Sequence, residues 1–116
     1  MPRLPAATAA VLLVATTSLH AQTFPTRPVR LIVPFAAGGP GDAVGRLIAP
    51  GLGEIWGQQV VIDNRAGANS IVGSEIAARA APDGYTLVLP SAGITINTTL
   101  YAKLPFDLIR DFTPVT

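Results

Sequence analysis

The sequence predicts an α/β fold with a partly formed parallel sheet that carries helices on both faces. Three stretches share one design: an extended apolar run, a loop of small residues, and a helix-like segment. Val33, Val61 and Val88 fall at nearly even intervals along these runs, as expected of successive strand–helix–strand units. In such units every loop emerges at the same sheet edge, where backbone N–H groups and helix N-termini favour a small anion.

The first strand and the first helix follow from residues 29–57. The mostly apolar run 29–35 is typical of a strand covered on both faces. Asp42 is predicted to be the N-cap of the helix, Pro50 to kink or break it, and Gly57 to close it. Four apolar side chains are expected to pack this helix onto the sheet: Leu47, Ile48, Leu52 and Ile55.

The remaining elements follow in the same order. A second strand is predicted over residues 58–63 and a second helix over 71–80, capped by Asn69 or Ser70 and supported by a Glu75–Arg79 pair at i, i+4. The turn signal at 81–84 precedes a third strand over 85–89. A loop over 90–95 should then lead to a third helix around residues 97–103.

The first 21 residues are predicted to be a signal peptide. Arg3 gives a positive start, residues 6–19 form an apolar stretch, and Ala21 supplies the small residue for cleavage. A membrane anchor is the alternative, but about 18 or more apolar residues are needed to span a bilayer, and this run is shorter. Residues 22–116 would then be the exported part of the chain and the N-terminal piece of a larger protein.

Composition excludes several classes of function. The chain contains 1 His and no Cys, and that residue, His20, lies in the predicted signal peptide, which leaves no imidazole or thiol for catalysis. A secreted hydrolase would need a base that is not present beside Ser91. The chain carries 8 basic and 7 acidic residues without a basic stripe, which argues against nucleic acid and anionic membrane surfaces.

Three loops could hold an anion. The first, over residues 36–42, and the second, over 64–70, are rich in Gly and Ala, so their backbone can approach a ligand closely. The third loop offers hydroxyl and amide groups that can bond a carboxylate, from Ser91, Thr95 and Asn97.

A nucleotide-binding module of an exported enzyme, with a Rossmann-like fold, is the alternative. The stretch from Gly39 to Gly45 is close to G-x-G-x-x-G but one residue too long before its last Gly. Asp63 stands where dinucleotide folds place the acid that binds ribose. The second small-residue loop has no role in that fold, and free dinucleotides are scarce outside the cell.

Several motifs resemble the Bug family, the extracytoplasmic solute receptors of tripartite tricarboxylate transporters. They are PVRLIVPF at 28–35, Gly38-Gly39 with Asp42, VVIDNRAGA at 60–68, APDGYTL at 81–87, Asn97 with Leu100-Tyr101, Leu104-Pro105, and DFTPVT at 111–116. The match runs from about Phe24 to the last residue. The chain departs from the family pattern at three places. Pro40-Gly41 replaces the more usual small polar pair, Ala66 stands where Pro is common, and Asn69-Ser70 replaces a frequent Gly-rich continuation.

The resemblance implies the first domain of a type II periplasmic binding protein, truncated before the second domain. It implies a receptor, not an enzyme, which binds a di- or tricarboxylate or a similar organic acid and delivers it to membrane permease subunits. Carried over by position, the ligand-binding residues are Phe35, Gly38, Gly39, Asp42, Gly67, Ala68 and Asn69, with Ser91, Thr95 and Asn97 in the third loop.

Further expectations concern bound groups, the oligomeric state and the affinity for a ligand. No cofactor and no metal are expected, and the protein should be a monomer. Because the resemblance implies a cleft between two domains, residues 22–116 should form half of it and bind a carboxylate weakly or not at all.

Overall fold

The structure, a computed structural model, describes residues 23–115. The predicted signal peptide lies outside the described residues. Three strands alternate with three helices: β1 (Val29–Val33), α1 (Pro40–Trp56), β2 (Val60–Asn64), α2 (Ile71–Ala78), β3 (Thr86–Val88) and α3 (Ala92–Leu100). None of the helices in this part of the chain has both the length and the apolar character that crossing a membrane requires.

The strands form one parallel sheet in the order β2-β1-β3. β1 is central: Val33 pairs in register with Asn64 of β2, and Ile32 pairs with Val88 of β3. All three strands therefore end at the same sheet edge, as the sequence predicted. Because β2 and β3 lie on opposite sides of β1, the chain changes direction at the centre of the sheet, where open α/β sheets bind ligands.

The two crossover helices lie on opposite faces of the sheet. A Cβ placed on Gly45 of α1 would lie 3.0 Å from Val33 Cγ2, and one on Gly73 of α2 would lie 2.8 Å from Pro34 Cβ. Since adjacent residues of a strand point to opposite faces, α1 covers one face of β1 and α2 covers the other. The predicted arrangement with helices on both faces is confirmed.

The start and the course of α1 differ from the prediction, whereas its end does not. It begins at Pro40 with Gly39 as N-cap, so the prediction that Asp42 caps it is wrong. Proline suits the first helical position because its φ is already helical and the missing N–H has no partner there. The helix also continues through Pro50 without a break and ends, as predicted, at Gly57 with φ 63°.

The buried face of α1 was also predicted wrongly. Leu47 is 80% exposed and Ile55 is 79% exposed, and Ile48 is exposed as well. Small residues face the sheet instead, because Gly45 and Ala49 let the helix approach closely enough to pack on Val33, Val60 and the half-buried neighbours of the core. Of the four predicted packing residues, Leu52 alone joins that cluster.

The helix α3 lies earlier than predicted, at Ala92–Leu100 instead of around 97–103. The loop before it is therefore short, and Thr95 and Asn97 are helical residues. Burial of Ile94 and Asn97 explains this placement, because tertiary packing overrides the low helix propensity of β-branched residues. The helix α2 follows its predicted position more closely, and the Glu75–Arg79 pair is present at 2.7 Å.

Candidate functional site

Asp42 organises the loop between β1 and α1 (residues 34–39). Its side chain is 4% exposed and lies in the first turn of α1. One oxygen, Oδ2, accepts hydrogen bonds from the Gly38 N–H at 2.8 Å and from Arg46 Nε at 2.8 Å, and Oδ1 accepts one from Asn64 Nδ2 at 2.9 Å. The bonds from Arg46, Gly38 and Asn64, in that order, lower the pKa of Asp42 to about 2. Asp42 is thus an ionised structural anchor.

The backbone N–H groups of this loop are only partly available to a ligand. Gly38 donates to Asp42, and Gly39 donates to the Ala36 carbonyl at 3.2 Å. Within residues 23–115, by contrast, the N–H groups of Gly41 and Asp42 have no acceptor, as expected for the first turn of a helix. An anion at this helix would therefore meet Gly41 and Asp42 more directly than Gly38 and Gly39.

Phe35 closes one side of this helix start. A Cβ on Gly41 would clash with Phe35 Cδ2, so the half-buried ring lies directly against the helix backbone at that point. Asn64 Nδ2 also donates to the Phe35 carbonyl at 3.2 Å. The ring and the first turn of α1 are therefore held together as one surface.

The loop between β2 and α2 (residues 65–70) has an unusual backbone. Ala68, Asn69 and Ser70 have φ values of 45°, 52° and 73°, and Gly67 has φ 137°. The left-handed conformation costs roughly 1–2 kcal/mol for a non-glycine residue, so three in succession require support from their surroundings.

This conformation leaves a continuous run of donors. In the part of the chain that the structure describes, the backbone N–H groups of residues 66–70 have no intramolecular acceptor. Residues 66–69 are exposed to solvent. Successive N–H groups of this kind form concave sites that bind anions. We call residues 66–70 the donor loop.

The loop between β3 and α3 supports the donor loop. Ser91 Oγ donates to Ser70 Oγ at 3.2 Å, and Ser70 Oγ donates to the Pro34 carbonyl at 3.3 Å. Asn97 is 0% exposed and bonds Asn69 through both ends of its amide, at 2.7 and 2.8 Å. Ser91 and Asn97 therefore lie in the same cluster as the other predicted site residues, because both bond to the donor loop.

Thr95 is placed differently from the other predicted residues. It is exposed on α3 and lines a shallow groove with residues of the following segment, among them Tyr101 and Leu108. A larger groove lies between α1 and the start of β2, lined by Ala49, Val60 and their neighbours, away from the three loops.

Asp63 forms an ion-pair cluster on the sheet. Arg30 Nε donates to Asp63 Oδ2 at 2.7 Å, and Arg65 Nε donates to Asp63 Oδ1 at 2.8 Å. Burial raises the pKa of Asp63, but the hydrogen bonds from Arg30 and Arg65 outweigh it, so the pKa is lowered overall. An acid engaged by two guanidinium groups is not free to bind a ribose, so the nucleotide-binding alternative loses one of the two features that suggested it.

Sequence reasoning missed the roles of Asn64, Arg46 and Ser70. The i, i+4 spacing of Asp42 and Arg46 was a usable signal for their ion pair. Asn64 gave no such signal, because its partners lie in an earlier unit and meet it through the parallel pairing of β1 and β2.

A comparison with protein families gives a match to this chain. Residues 44–116 match the profile of the tripartite tricarboxylate transporter family receptor, TctC. The chain belongs to this family. Its members are receptors and not enzymes, as predicted from the sequence. BugT of Bordetella pertussis is 40% identical over 100 residues, which cover 84% of this chain and 31% of BugT. The resemblance to the Bug family is confirmed.

Solved structures of other proteins show the same fold. A Rhodopseudomonas palustris protein with adipate aligns with a TM-score of 0.75 and 43% identity over 79% of this chain and 31% of that one. MatC from the same organism, with bound malate, aligns with a TM-score of 0.75 and 42% identity over 79% of this chain and 32% of MatC. A structure described as a periplasmic transporter aligns with a TM-score of 0.77 and 41% identity, over 80% of this chain and 32% of that one.

The chain spans about a third of the length of the relatives and structures that it matches. Within that span the predicted fold class is confirmed, since the three-stranded parallel sheet and its helices align with part of each periplasmic receptor.

Proposed function

We propose that this TctC-family chain binds a small carboxylate at the donor loop and at the start of α1. The observation that carries the proposal is the run of N–H groups at residues 66–70 that have no acceptor within residues 23–115. Asn64 ties the start of α1 to the end of β2, so the two groups of donors belong to one rigid sheet edge. The positive N-terminal end of the α1 dipole adds to the attraction for an anion.

Backbone donors suit a carboxylate that must be released again. The nearby guanidinium groups of Arg46 and Arg65 are engaged by Asp42 and Asp63. The ligand is therefore held by N–H dipoles without forming its own ion pair with a side chain. Fixed dipoles of this kind bind a carboxylate without burying a cation, whose desolvation would be costly.

The ligand class follows from the relatives. The two structures named above contain adipate and malate, which both carry a carboxylate at each end. We assign one carboxylate of such a di- or tricarboxylate to the donor loop. Phe35 borders this position, and the residues carried over from the family pattern form its rim: Gly38, Gly39, Asp42, Gly67, Ala68 and Asn69.

Membership of the family supports a proposal for the cellular role. A receptor of this family would act in the periplasm, as a monomer exported by the signal peptide of residues 1–21, and pass its carboxylate to membrane permease subunits. Residues 22–116 would supply one side of the binding cleft, so the affinity of the chain alone should be in the millimolar range, equivalent to about 4 kcal/mol.

A residue-resolved titration tests the proposal. We expect succinate, malate and adipate to shift the backbone amide NMR signals of residues 41, 42 and 66–70 of the chain in a saturable way. Succinamide, the neutral analogue of succinate, is the matched ligand control and should leave these signals in place. Saturable shifts elsewhere, equal shifts with succinamide, or shifts by NAD but not by carboxylates would refute the proposal. Micromolar affinity in a calorimetric titration would refute the proposal that residues 22–116 supply only one side of the binding cleft.

A further inference from the structure

The donor loop is held by bonds from outside itself. Three successive non-glycine residues, Ala68, Asn69 and Ser70, have positive φ. The internal bonds of the loop are few: the Ile71 N–H donates to the Ala68 carbonyl at 3.1 Å, and the Val72 N–H reaches the Gly67 carbonyl only at 3.5 Å. A surface loop with so few internal bonds needs another element to fix its shape.

That element is α3. Asn97 has no exposed surface, and both of its amide atoms bond Asn69: Oδ1 accepts from Asn69 Nδ2, and Nδ2 donates to the Asn69 carbonyl. The absence of a side chain at Gly93 makes room for this contact, since a Cβ there would lie 3.2 Å from Asn69 Oδ1. A buried amide that meets a single residue through two bonds fixes both the position and the rotation of that peptide.

The Ser91 hydroxyl bonds to the donor loop and does not cap its own helix. It occupies the N-cap position of α3, yet its hydroxyl makes no capping bond to the helix backbone. It donates instead to Ser70 Oγ. Ser70, at the N-cap position of α2, likewise lacks a capping bond and donates to Pro34. Both serines therefore tie the donor loop to its surroundings.

From this geometry we infer that Asn97 is a positioning residue: it acts through Asn69 to hold the N–H groups of residues 66–70 in the arrangement that binds a carboxylate. The inference rests on the proposed function. It also reinterprets Asn97, for which the sequence predicted direct contact with the ligand. Because Asn97 is buried, the inference assigns the contact with the ligand to the donor loop that Asn97 holds.

The experiment combines loop conformation with binding. Three-bond HN–Hα couplings and Cα shifts of residues 68–70 report positive φ, and a succinate titration followed by amide NMR gives the Kd. We expect Asn97→Ala to remove the positive-φ signature and to weaken succinate binding about tenfold, or about 1.4 kcal/mol. Asn69→Ala removes one of these two bonds, the one that Asn69 Nδ2 donates to Asn97 Oδ1, and should act in the same direction. Thr98→Ala, an exposed polar change on α3, is the matched control and should change neither readout.

The outcomes separate the inference from the function on which it rests. If the unmodified chain binds succinate and folded Asn97→Ala and Asn69→Ala bind it equally well, the inference is refuted and the proposed function stands. Retention of the positive-φ signature in both variants refutes it too. If Asn97→Ala does not fold, Asn69→Ala alone decides. Absence of saturable binding by the unmodified chain refutes the proposed function itself.

Discussion

Asn64 Nδ2 donates to Asp42 Oδ1 across 2.9 Å and so joins the end of β2 to the first turn of α1. The same nitrogen donates to the Phe35 carbonyl at 3.2 Å. Asn64 thereby ties both the β1–α1 loop and the first turn of α1 to the end of β2, the strand that leads into the donor loop. Under the proposed function, an edge held in this way keeps its donors in place before a ligand arrives, which reduces the entropy lost on binding.

Protonation of Asp42 should weaken the fold at low pH. Its folded pKa of about 2 lies below its ordinary value of 3.8, so the stability contributed by the charged carboxylate is fully present above pH 3.8 and is lost as the pH falls through about 2. Urea unfolding between these limits should therefore show a steeper fall in the free energy of unfolding for the unmodified chain than for Asp42→Asn. Glu54→Gln, an exposed change on the same helix, should keep the steep dependence. Equal slopes for Asp42→Asn and the unmodified chain would contradict this role.

Substitution by alanine should change the free energy of unfolding in opposite directions at two glycines that have open space around them. A Cβ at Gly38 or at Gly51 would meet nothing within 4 Å, but Gly38 has φ 82° whereas Gly51 lies inside α1. Gly38→Ala should reduce the free energy of unfolding by about 1 kcal/mol, the cost of a left-handed alanine. Gly51→Ala should increase it by about 0.5–1 kcal/mol through helix propensity. Chemical denaturation measures both, and a change of the same sign in both variants would show that φ is not the deciding difference.

Gly73 should be the least tolerant of the helical glycines that face the sheet. A Cβ there would lie 2.8 Å from the Arg65 carbonyl oxygen and 2.8 Å from Pro34 Cβ. Backbone cannot move as a flexible side chain does, so Gly73→Ala should lower the free energy of unfolding by about 1–3 kcal/mol despite its better helix propensity. Gly51→Ala serves as the helical control. Unchanged stability of Gly73→Ala would mean that α2 can shift away from β1 without loss.

The ion-pair cluster around Asp63 should contribute more than an isolated surface pair. Asp63 is 22% exposed and holds two guanidinium groups, whereas the Arg79–Glu75 pair on α2 has an arginine that is 72% exposed. Asp63→Asn should cost about 1 kcal/mol, allowing for solvent screening, and Glu75→Gln should cost about 0.3–0.5 kcal/mol. Urea denaturation at low salt checks the difference, and added salt should reduce it. A larger loss for Glu75→Gln would contradict the assignment.

Much of the fold could be predicted from local patterns. The apolar runs gave β1, β2 and β3, and Gly57 gave the end of α1 because only a residue that accepts φ 63° suits that position. The buried face of α1 could not be predicted in the same way. A hydrophobic stripe suggested Leu47 and Ile55, but close packing on the sheet selected Gly45 and Ala49, a choice that depends on the distance between helix and sheet.

The sheet edge that carries the candidate site could be predicted in position, but the hydrogen bonds around that site could not. Strand ends followed by small residues located the sheet edge, because parallel topology brings such loops together. The engagement of the Gly38 N–H by Asp42 and the burial of Asn97 depend on contacts between units that are far apart in sequence. Residue type alone indicated that these groups could bond a carboxylate. It did not indicate that they already form hydrogen bonds with other groups of the protein.

The central place of β1 has a consequence for how this sheet assembles. β1 is the earliest of the three strands in the chain, yet its two partners begin at Val60 and Thr86, each beyond an intervening helix. These three strands form no hairpin that could start the pairing. Each of β2 and β3 can therefore pair with β1 only after the long segment between them has brought the two strands together. Such distant pairing makes folding slow relative to proteins of similar size that are built from local contacts.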